Sequence, residues 1–135
     1  MLQKFKNEIY PFGLSVAIDE PLDNLCKSFQ FYNNNDVLIN LSESDLAKIT
    51  NKMEACTVKV CDKETNLITV LLMFETNGTN IITYNTICHE CSHASDLLCD
   101  MQNVKYGTFE TGEAHAYICG WIGSCIEKTL YYKNK

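Results

Sequence analysis

Apolar and polar positions along the first third of the chain predict a strand, a helix and a second short strand. Residues 8–18 carry alternating and β-branched apolar positions, which are typical of a strand entered through Pro11. Residues 19–32 begin with Asp-Glu-Pro, a helix start, and continue with apolar residues at helical spacing. The run of Asn and Asp at 33–36 is a turn, and residues 37–41 form a short strand.

The middle of the chain predicts a short helix followed by a hairpin. Residues 42–56 begin with Ser42 and, three residues later, Asp45, which is the spacing of a capping box, and continue as an amphipathic stripe. TVKV at 57–60 and LITVLLMF at 67–74 are joined by a polar turn and predict a β-hairpin. Because the second strand is almost entirely apolar, we expect it inside the sheet.

The last third of the chain predicts two helices. The first runs from Tyr84 to Gln102, with Thr83 as its N-cap and Asn103 at its end. KYGTFETG at 105–112 is then a loop, and the second helix spans 112–130. The order of elements predicts an α+β fold for a single domain, 1–135, in which the helices pack on one face of a small, mostly antiparallel sheet.

Composition narrows the class of protein. The 135 residues carry a net charge of −6 and no arginine, whereas a general nucleic-acid binder needs a basic face. The amino-terminal stretch lacks the apolar core of a secretory signal, and the apolar run at 67–74 is too short for a membrane span. We therefore expect a protein of the cytoplasm with no nucleic-acid or membrane partner.

Eight cysteines would suggest a disulfide scaffold in a secreted chain. Without a signal segment, and with most cysteines among apolar residues, we expect reduced thiols that pack in the core. Cys88 and Cys91 are spaced as Cys-x-x-Cys, but they lie in the middle of the helix predicted from Tyr84, whereas a redox pair favours an exposed helix N-terminus. We expect both to serve packing.

The chemistry concentrates in His89-Glu90-Cys91-Ser92-His93, an H-E-x-x-H motif on the first of the two long helices. Residues four apart share a helix face, so His89 and His93 can both reach one Zn²⁺. Glu90 is one step round the helix, where it can act as the general base of a metal-dependent hydrolase. The motif therefore predicts zinc as cofactor.

Two histidines leave a catalytic zinc site without its third protein ligand. Glu113, at the start of the second long helix, is the favoured candidate, and Glu110 in the preceding loop is the alternative. Asp96 lies on the histidine face but is better suited to hold a histidine N–H than to bind metal. His115 should point to the opposite side of its helix from Glu113, so the two cannot both be ligands.

The chain resembles small zincin-like metallopeptidase proteins encoded by tailed bacteriophages and prophages of Bacteroides-type hosts. The resemblance spans most of the chain: an early strand, the hairpin within ACTVKVCDKETNLITVLLMF, the H-E-x-x-H helix, and a closing helix in which a Glu is followed by the pattern Ala-Tyr-x-x-Gly-Trp. The matching residues of the first and last segments are Tyr10, Pro11, Leu14, Val16, Glu113, Ala116, Tyr117, Gly120 and Trp121. The arrangement of the motif is also similar to that of gluzincins of the ImmA/IrrE type.

These resemblances imply a minimal zincin-like core in which His89, His93 and Glu113 bind zinc and Glu90 is the catalytic base. Tyr117, one turn after Glu113, is the first candidate for an electrophilic helper that stabilises the tetrahedral intermediate. The expected function is zinc-dependent hydrolysis of peptide bonds in a peptide or protein substrate in the host cytoplasm. The alternative is a catalytically silent phage protein, a virion or head-tail component that associates with other virion proteins.

Overall fold

The residues that the structure describes form six strands and four helices. The computed structural model describes residues 1–51, 53–103 and 109–135, the side chains of 109–111 excepted. The strands are β1 (Leu2–Lys6), β2 (Gly13–Ile18), β3 (Phe29–Tyr32), β4 (Leu38–Ile39), β5 (Ala55–Asp62) and β6 (Ile68–Phe74). The helices are α1 (Leu22–Ser28), α2 (Glu43–Thr50), α3 (Tyr84–Met101) and α4 (Phe109–Asn134).

All six strands form one mixed sheet in the order β1-β2-β6-β5-β3-β4. The β2–β6 pair is parallel, with Leu14 opposite Val70, and the other four pairs are antiparallel. The predicted α+β class with a mostly antiparallel sheet is therefore confirmed. The predicted hairpin is also present as β5 and β6, with Cys61 opposite Ile68 next to its turn.

Strand β6 lies in the interior of the sheet, and its two faces enter two different cores. Val70, Leu72 and Phe74 face α3 and α4 and belong to the larger core. Leu71 and Met73 face the other way and pack in a second core with residues of α1 and α2. This explains the nearly continuous apolar sequence of β6, because a strand covered on both faces has no solvent side to keep polar.

The helices therefore flank the sheet on both faces, which differs from the expectation that they share one. Leu25 of α1 and Leu46 of α2 are fully buried in the second core, and Phe29 and Phe31 of β3 join them. Burial of both alternating sets of side chains on β6 requires apolar cover on both sides. The two short helices provide that cover opposite α3 and α4.

Local capping signals placed two helices correctly. The Thr83 side chain accepts a hydrogen bond from the Thr86 N–H at the start of α3. The Ser42 side chain likewise accepts from the Asp45 N–H at the start of α2. Each contact satisfies a backbone donor that has no partner within the helix.

Several predicted bounds differ from the structure, and the helix predicted over 42–56 ends at Thr50, with β5 beginning at Ala55. Residues 8–18 contain only β2, while β1 lies earlier in the chain. The helix predicted over 19–32 ends early, because its last four residues form β3 with Phe29 and Phe31 pointing inward at strand period. The last helix begins at Phe109 rather than at 112, and residues 105–108 of the predicted loop lie outside the described residues.

The two long helices, α3 and α4, pack against each other in antiparallel directions. The Ser95 hydroxyl donates to the His115 carbonyl oxygen, and farther along the pair Cys91 contacts Cys119. A Cβ at Gly123 would lie 3.8 Å from the sulfur of Cys91, so the helices approach closely there. In the described ranges, no helix combines the length and hydropathy that crossing a bilayer requires.

Candidate metal centre

The H-E-x-x-H motif lies in the N-terminal half of α3, and the amphipathic pattern of that helix decides which side chains reach solvent. Cys91, Ala94 and Leu98 are buried against the sheet and α4. His89 and His93 lie on the opposite side and are both exposed. The core side of α3 therefore anchors the helix, and its outer side presents the two histidines.

The two imidazole rings converge on one point. The Nε2 atoms of His89 and His93 are 3.0 Å apart, and the ring centroids are 4.6 Å apart at an interplanar angle of 78°. Two nitrogen ligands at the usual zinc distance in a tetrahedral site are separated by about 3.3 Å. The pair therefore fits a tetrahedral metal after a shift of a few tenths of an ångström.

Glu90 lies beside the pair but faces the sheet. Its side chain is 6% exposed, and its Oε2 atom accepts a hydrogen bond from the Thr57 hydroxyl on β5. A buried carboxylate needs such a partner, because an unsatisfied one is costly. Thr57 thus fixes one oxygen of Glu90, a contact that was not predicted from the sequence.

The strand that holds Glu90 has an open side. Strand β3 pairs with β5 only from Val60 to Asp62, and no strand among the described residues pairs with 55–59 on the side away from β6. Residues 55–59 are all half-buried, whereas 60–62 are buried. An open stretch of strand edge therefore lies next to the carboxylate of Glu90 and exposes backbone hydrogen-bonding groups.

Helix α4 turns a different face toward α3 than the sequence predicted. His115 and Cys119 contact α3 through Ser95, Asp96 and Cys91. Tyr117 lies between them in sequence, about 200° round the helix from each. Its ring contacts Tyr10 at a centroid distance of 6.0 Å, on the side of α4 away from α3.

Glu113 is therefore not brought to the histidine pair. It is exposed, and it lies four residues before Tyr117 on the same side of α4. No group of three or more His, Cys, Asp or Glu side chains that could hold a metal occurs in the part of the chain that the structure describes. The three-ligand site of His89, His93 and Glu113 therefore stays a prediction that the structure does not test.

The same rotation of α4 puts the Tyr117 side chain beside Tyr10. Its side chain is 42% exposed beside Tyr10, so the structure does not place it as a helper at the histidines. The buried positions Ile118, Ile122 and Ile126 set this rotation, because they must face the sheet. Glu110, the alternative ligand, has a side chain outside the described residues.

Asp96 has a partner other than the one expected. Its Oδ1 atom lies 3.0 Å from Nε2 of His115, so it links α3 to α4 rather than holding an imidazole of the histidine pair. His115 points away from Glu113, as predicted, and toward α3. The contact sits about one turn beyond His93 at the interface of the two helices.

The eight cysteines are all free thiols, as expected, but they differ in exposure. Cys91, Cys99 and Cys125 are buried, and burial raises the pKa of the Cys91 and Cys125 thiols to about 12. Cys88 is exposed rather than packed, which corrects its expected role.

The site thus consists of an exposed pair of histidines, a buried glutamate held by Thr57, and an open strand edge beside them.

Comparisons with models of known protein families, with curated proteins and with solved structures returned no match.

Proposed function

We propose that the protein is a zinc-dependent hydrolase of peptide bonds, with His89 and His93 as metal ligands and Glu90 as the general base. The observation that carries the proposal is the convergence of the two Nε2 atoms to 3.0 Å on the exposed side of α3. Two imidazoles with open positions around them are ligands typical of catalytic zinc. Zinc bound there would supply Lewis acidity for a substrate carbonyl and an attacking water.

Glu90 supports the assignment of a hydrolytic role. Its carboxylate is buried and held at Oε2 by Thr57, so Oε1 is the oxygen suited to take a proton from a water and return it to a leaving amine. A fixed carboxylate loses little freedom when it reacts. Thr57 acts through Glu90 and is a positioning residue.

The open edge of β5 supports a peptide as substrate. Backbone groups of residues 55–59 can pair with an extended peptide, in the manner of an added strand. Such a peptide would run beside the Thr57–Glu90 contact and alongside α3. An extended main chain bound there would bring a carbonyl carbon toward the histidines.

A second candidate is a catalytically silent structural protein, such as a phage virion component, with a vestigial or stapling metal site. It is favoured by the lack of a third ligand for His89 and His93 among the described residues. The silent structural protein should bind metal without cleaving peptides, whereas the hydrolase should bind metal and cleave peptides. The two functions therefore separate in one set of measurements.

The test combines zinc content with peptide cleavage. We expect the purified chain to bind zinc and to cleave members of a peptide library. The Glu90→Gln variant should still bind zinc but should no longer cleave peptides. The His89→Ala variant should no longer bind zinc. Glu127→Gln, which removes an exposed glutamate on α4, is the matched control and should behave as the unmodified chain. Zinc binding without any cleavage would favour the silent structural protein, and absence of zinc binding would overturn both.

Two further variants address the missing ligand. Glu110→Gln should weaken zinc binding if this residue supplies the third position, whereas Glu113→Gln should leave the affinity unchanged. A steep loss of zinc in Glu113→Gln would show that α4 rotates when the metal binds. Equilibrium dialysis of each variant against zinc gives the affinity directly.

A further inference from the structure

A lysine lies on the same face of β5 as the contact between Thr57 and Glu90. Successive side chains of a strand point to opposite faces of a sheet, so Thr57 and Lys59 share one face. The neighbouring residues agree with this alternation, because Val58 and Val60 pack in the core on the other face. Two residues of extended strand span about 6.5 Å, so Lys59 stands that far along the strand from the residue that holds Glu90.

The ammonium group of Lys59 lies over an aromatic ring and not beside a carboxylate. Its Nζ atom is 4.5 Å from the centroid of the Tyr32 ring, a cation–π contact between two half-buried side chains. In the part of the chain that the structure describes, none of the ion pairs includes Lys59. Because the chain carries a net charge of −6, carboxylates are not scarce in it. The charge of Lys59 is therefore available to an anionic group from another molecule.

The contact between Lys59 and Tyr32 also marks one end of the open edge of β5. The ladder between β3 and β5 ends with Phe31 opposite Val60, and the next residue, Tyr32, pairs with β4. Strand β3 therefore occupies the β5 edge beyond Lys59 and leaves it open at residues 55–59. An extended peptide that added to this open edge would have to end, or leave the sheet, beside the Lys59 ammonium.

We propose that Lys59 selects peptides that carry a carboxylate at this end of the β5 edge, on an acidic side chain or at a free C-terminus. The inference rests on the proposed binding of a peptide substrate along β5, and it names the class of that substrate. A half-buried contact between an ammonium and a carboxylate should raise the affinity about 3- to 10-fold. Because Lys59 would contact the peptide and not the proposed reacting atoms, it should act on binding and not on the chemical step.

A titration followed by nuclear magnetic resonance tests the proposal without zinc and without cleavage. Three short threonine-rich peptides, all acetylated at the N-terminus, are added to the nitrogen-15-labelled chain in the presence of a chelator. The first is uncharged with an amidated C-terminus, the second has a glutamate at each end and an amidated C-terminus, and the third is uncharged except for a free C-terminal carboxylate. We expect the amide signals of residues 55–59 to shift, and at least one carboxylate peptide to bind about 3- to 10-fold more tightly than the uncharged one.

The outcomes of this titration are distinct from the failure of the proposed hydrolase. Tighter binding of the second peptide assigns the preference to an acidic side chain, and tighter binding of the third assigns it to the C-terminus. Absence of binding, equal affinities for all three peptides, or shifts confined to other residues would overturn the proposal. A chain that binds no zinc and cleaves nothing can still show the preference, because the titration needs neither property.

Variants of the lysine give an independent test. Lys59→Gln should abolish the preference, Lys59→Arg should keep it, and Lys59→Glu should reverse it in favour of a peptide with a lysine at each end. Lys48→Gln, which removes an exposed lysine of α2 on the other side of the sheet, is the matched control and should keep the preference. In cleavage assays, Lys59→Gln should raise KM for the carboxylate peptides about 3- to 10-fold and leave kcat unchanged. An undiminished preference in Lys59→Gln, or a loss confined to kcat, would contradict the assigned role.

Discussion

The hydroxyl of Thr57 donates to Oε2 of Glu90, and this contact ties the sheet to the motif helix at the residue proposed as base. We expect Thr57→Val, which keeps the shape but removes the donor, to lower peptide hydrolysis roughly 10- to 100-fold. It should also destabilise the fold by about 1–3 kcal/mol, because the buried carboxylate loses its partner. Cleavage kinetics and urea unfolding measure the two effects.

Thr57→Ser is the matched control for this prediction, since it keeps the hydroxyl. It should retain most of the activity and stability, and zinc affinity should be unchanged in both variants. Equal loss in the Val and Ser variants would mean that the methyl group of Thr57, and not its hydrogen bond to Glu90, matters at this position.

Zinc should stabilise the folded chain through the histidine pair. A ligand present at a hundredfold excess over its Kd adds about 2.7 kcal/mol to the free energy of unfolding. We expect a matching rise in Tm on addition of zinc, and no rise for His93→Ala. Ser92→Ala, an exposed neighbour on the same helix, should respond as the unmodified chain does. Calorimetry with and without zinc makes the comparison, and an unchanged zinc response in His93→Ala would refute the pair as ligands.

Asp19 should make stability depend on pH in the acid range. Burial alone would raise its pKa, but hydrogen bonds from the Thr76 hydroxyl and N–H and the ion pair with Lys133 at 2.9 Å outweigh this and lower the pKa of Asp19 to about 2. A lowered folded pKa adds stability that is fully present above the ordinary value of 3.8 and is lost as pH falls toward 2. The contribution is about 2 kcal/mol.

The test uses Asp19→Asn, a residue type that tolerates the positive φ of 51° at this position. We expect the variant to be less stable than the unmodified chain at pH 7 and the difference to shrink between pH 4 and pH 2. Urea unfolding across this range measures it. A difference that stays constant with pH would show that Asp19 contributes through its hydrogen bonds alone.

Gly120 and Gly123 offer a prediction of the opposite sign. Glycine inside a helix costs about 1 kcal/mol relative to alanine, and both positions lie in α4 with room for a methyl group. Gly120→Ala should raise the free energy of unfolding by about that amount. We expect the same of Gly123→Ala, because its added methyl group would lie 3.8 Å from the Cys91 sulfur, an ordinary van der Waals distance. A destabilised Gly123→Ala beside a stabilised Gly120→Ala would show that α3 and α4 lie closer than described.

The contrast between Thr83 and Glu113 shows what could be predicted from the sequence. Thr83 caps α3 through a contact to a residue three positions away, so its role is local and can be predicted from the sequence. The histidine pair is likewise set by spacing within one helix. The Thr83 cap and the histidine pair each depend only on residues within four positions along the chain.

The position of Glu113 relative to the histidine pair depends on nonlocal packing. The apolar spacing of Ile118, Ile122 and Ile126 identifies the buried side of α4, but it does not say on which flank of that side α3 lies. That flank is decided by the packing of both helices across the sheet, where His115 and Cys119 meet α3. The same applies to Thr57, whose proximity to Glu90 depends on which strand α3 covers.

The parallel pairing of β2 with β6 has a consequence for how the chain folds. The Thr69 hydroxyl at the start of β6 donates to the carbonyl oxygen of Gly13, which lies 56 positions earlier in the chain. Each pair of residues in the β2–β6 ladder is separated by a loop of similar length. The entropy of closing so long a loop has to be overcome before the ladder forms. During synthesis, β2 can pair with β1 but must wait for β6 to leave the ribosome, so the nascent chain holds an apolar strand with one open edge until the centre of its sheet is complete.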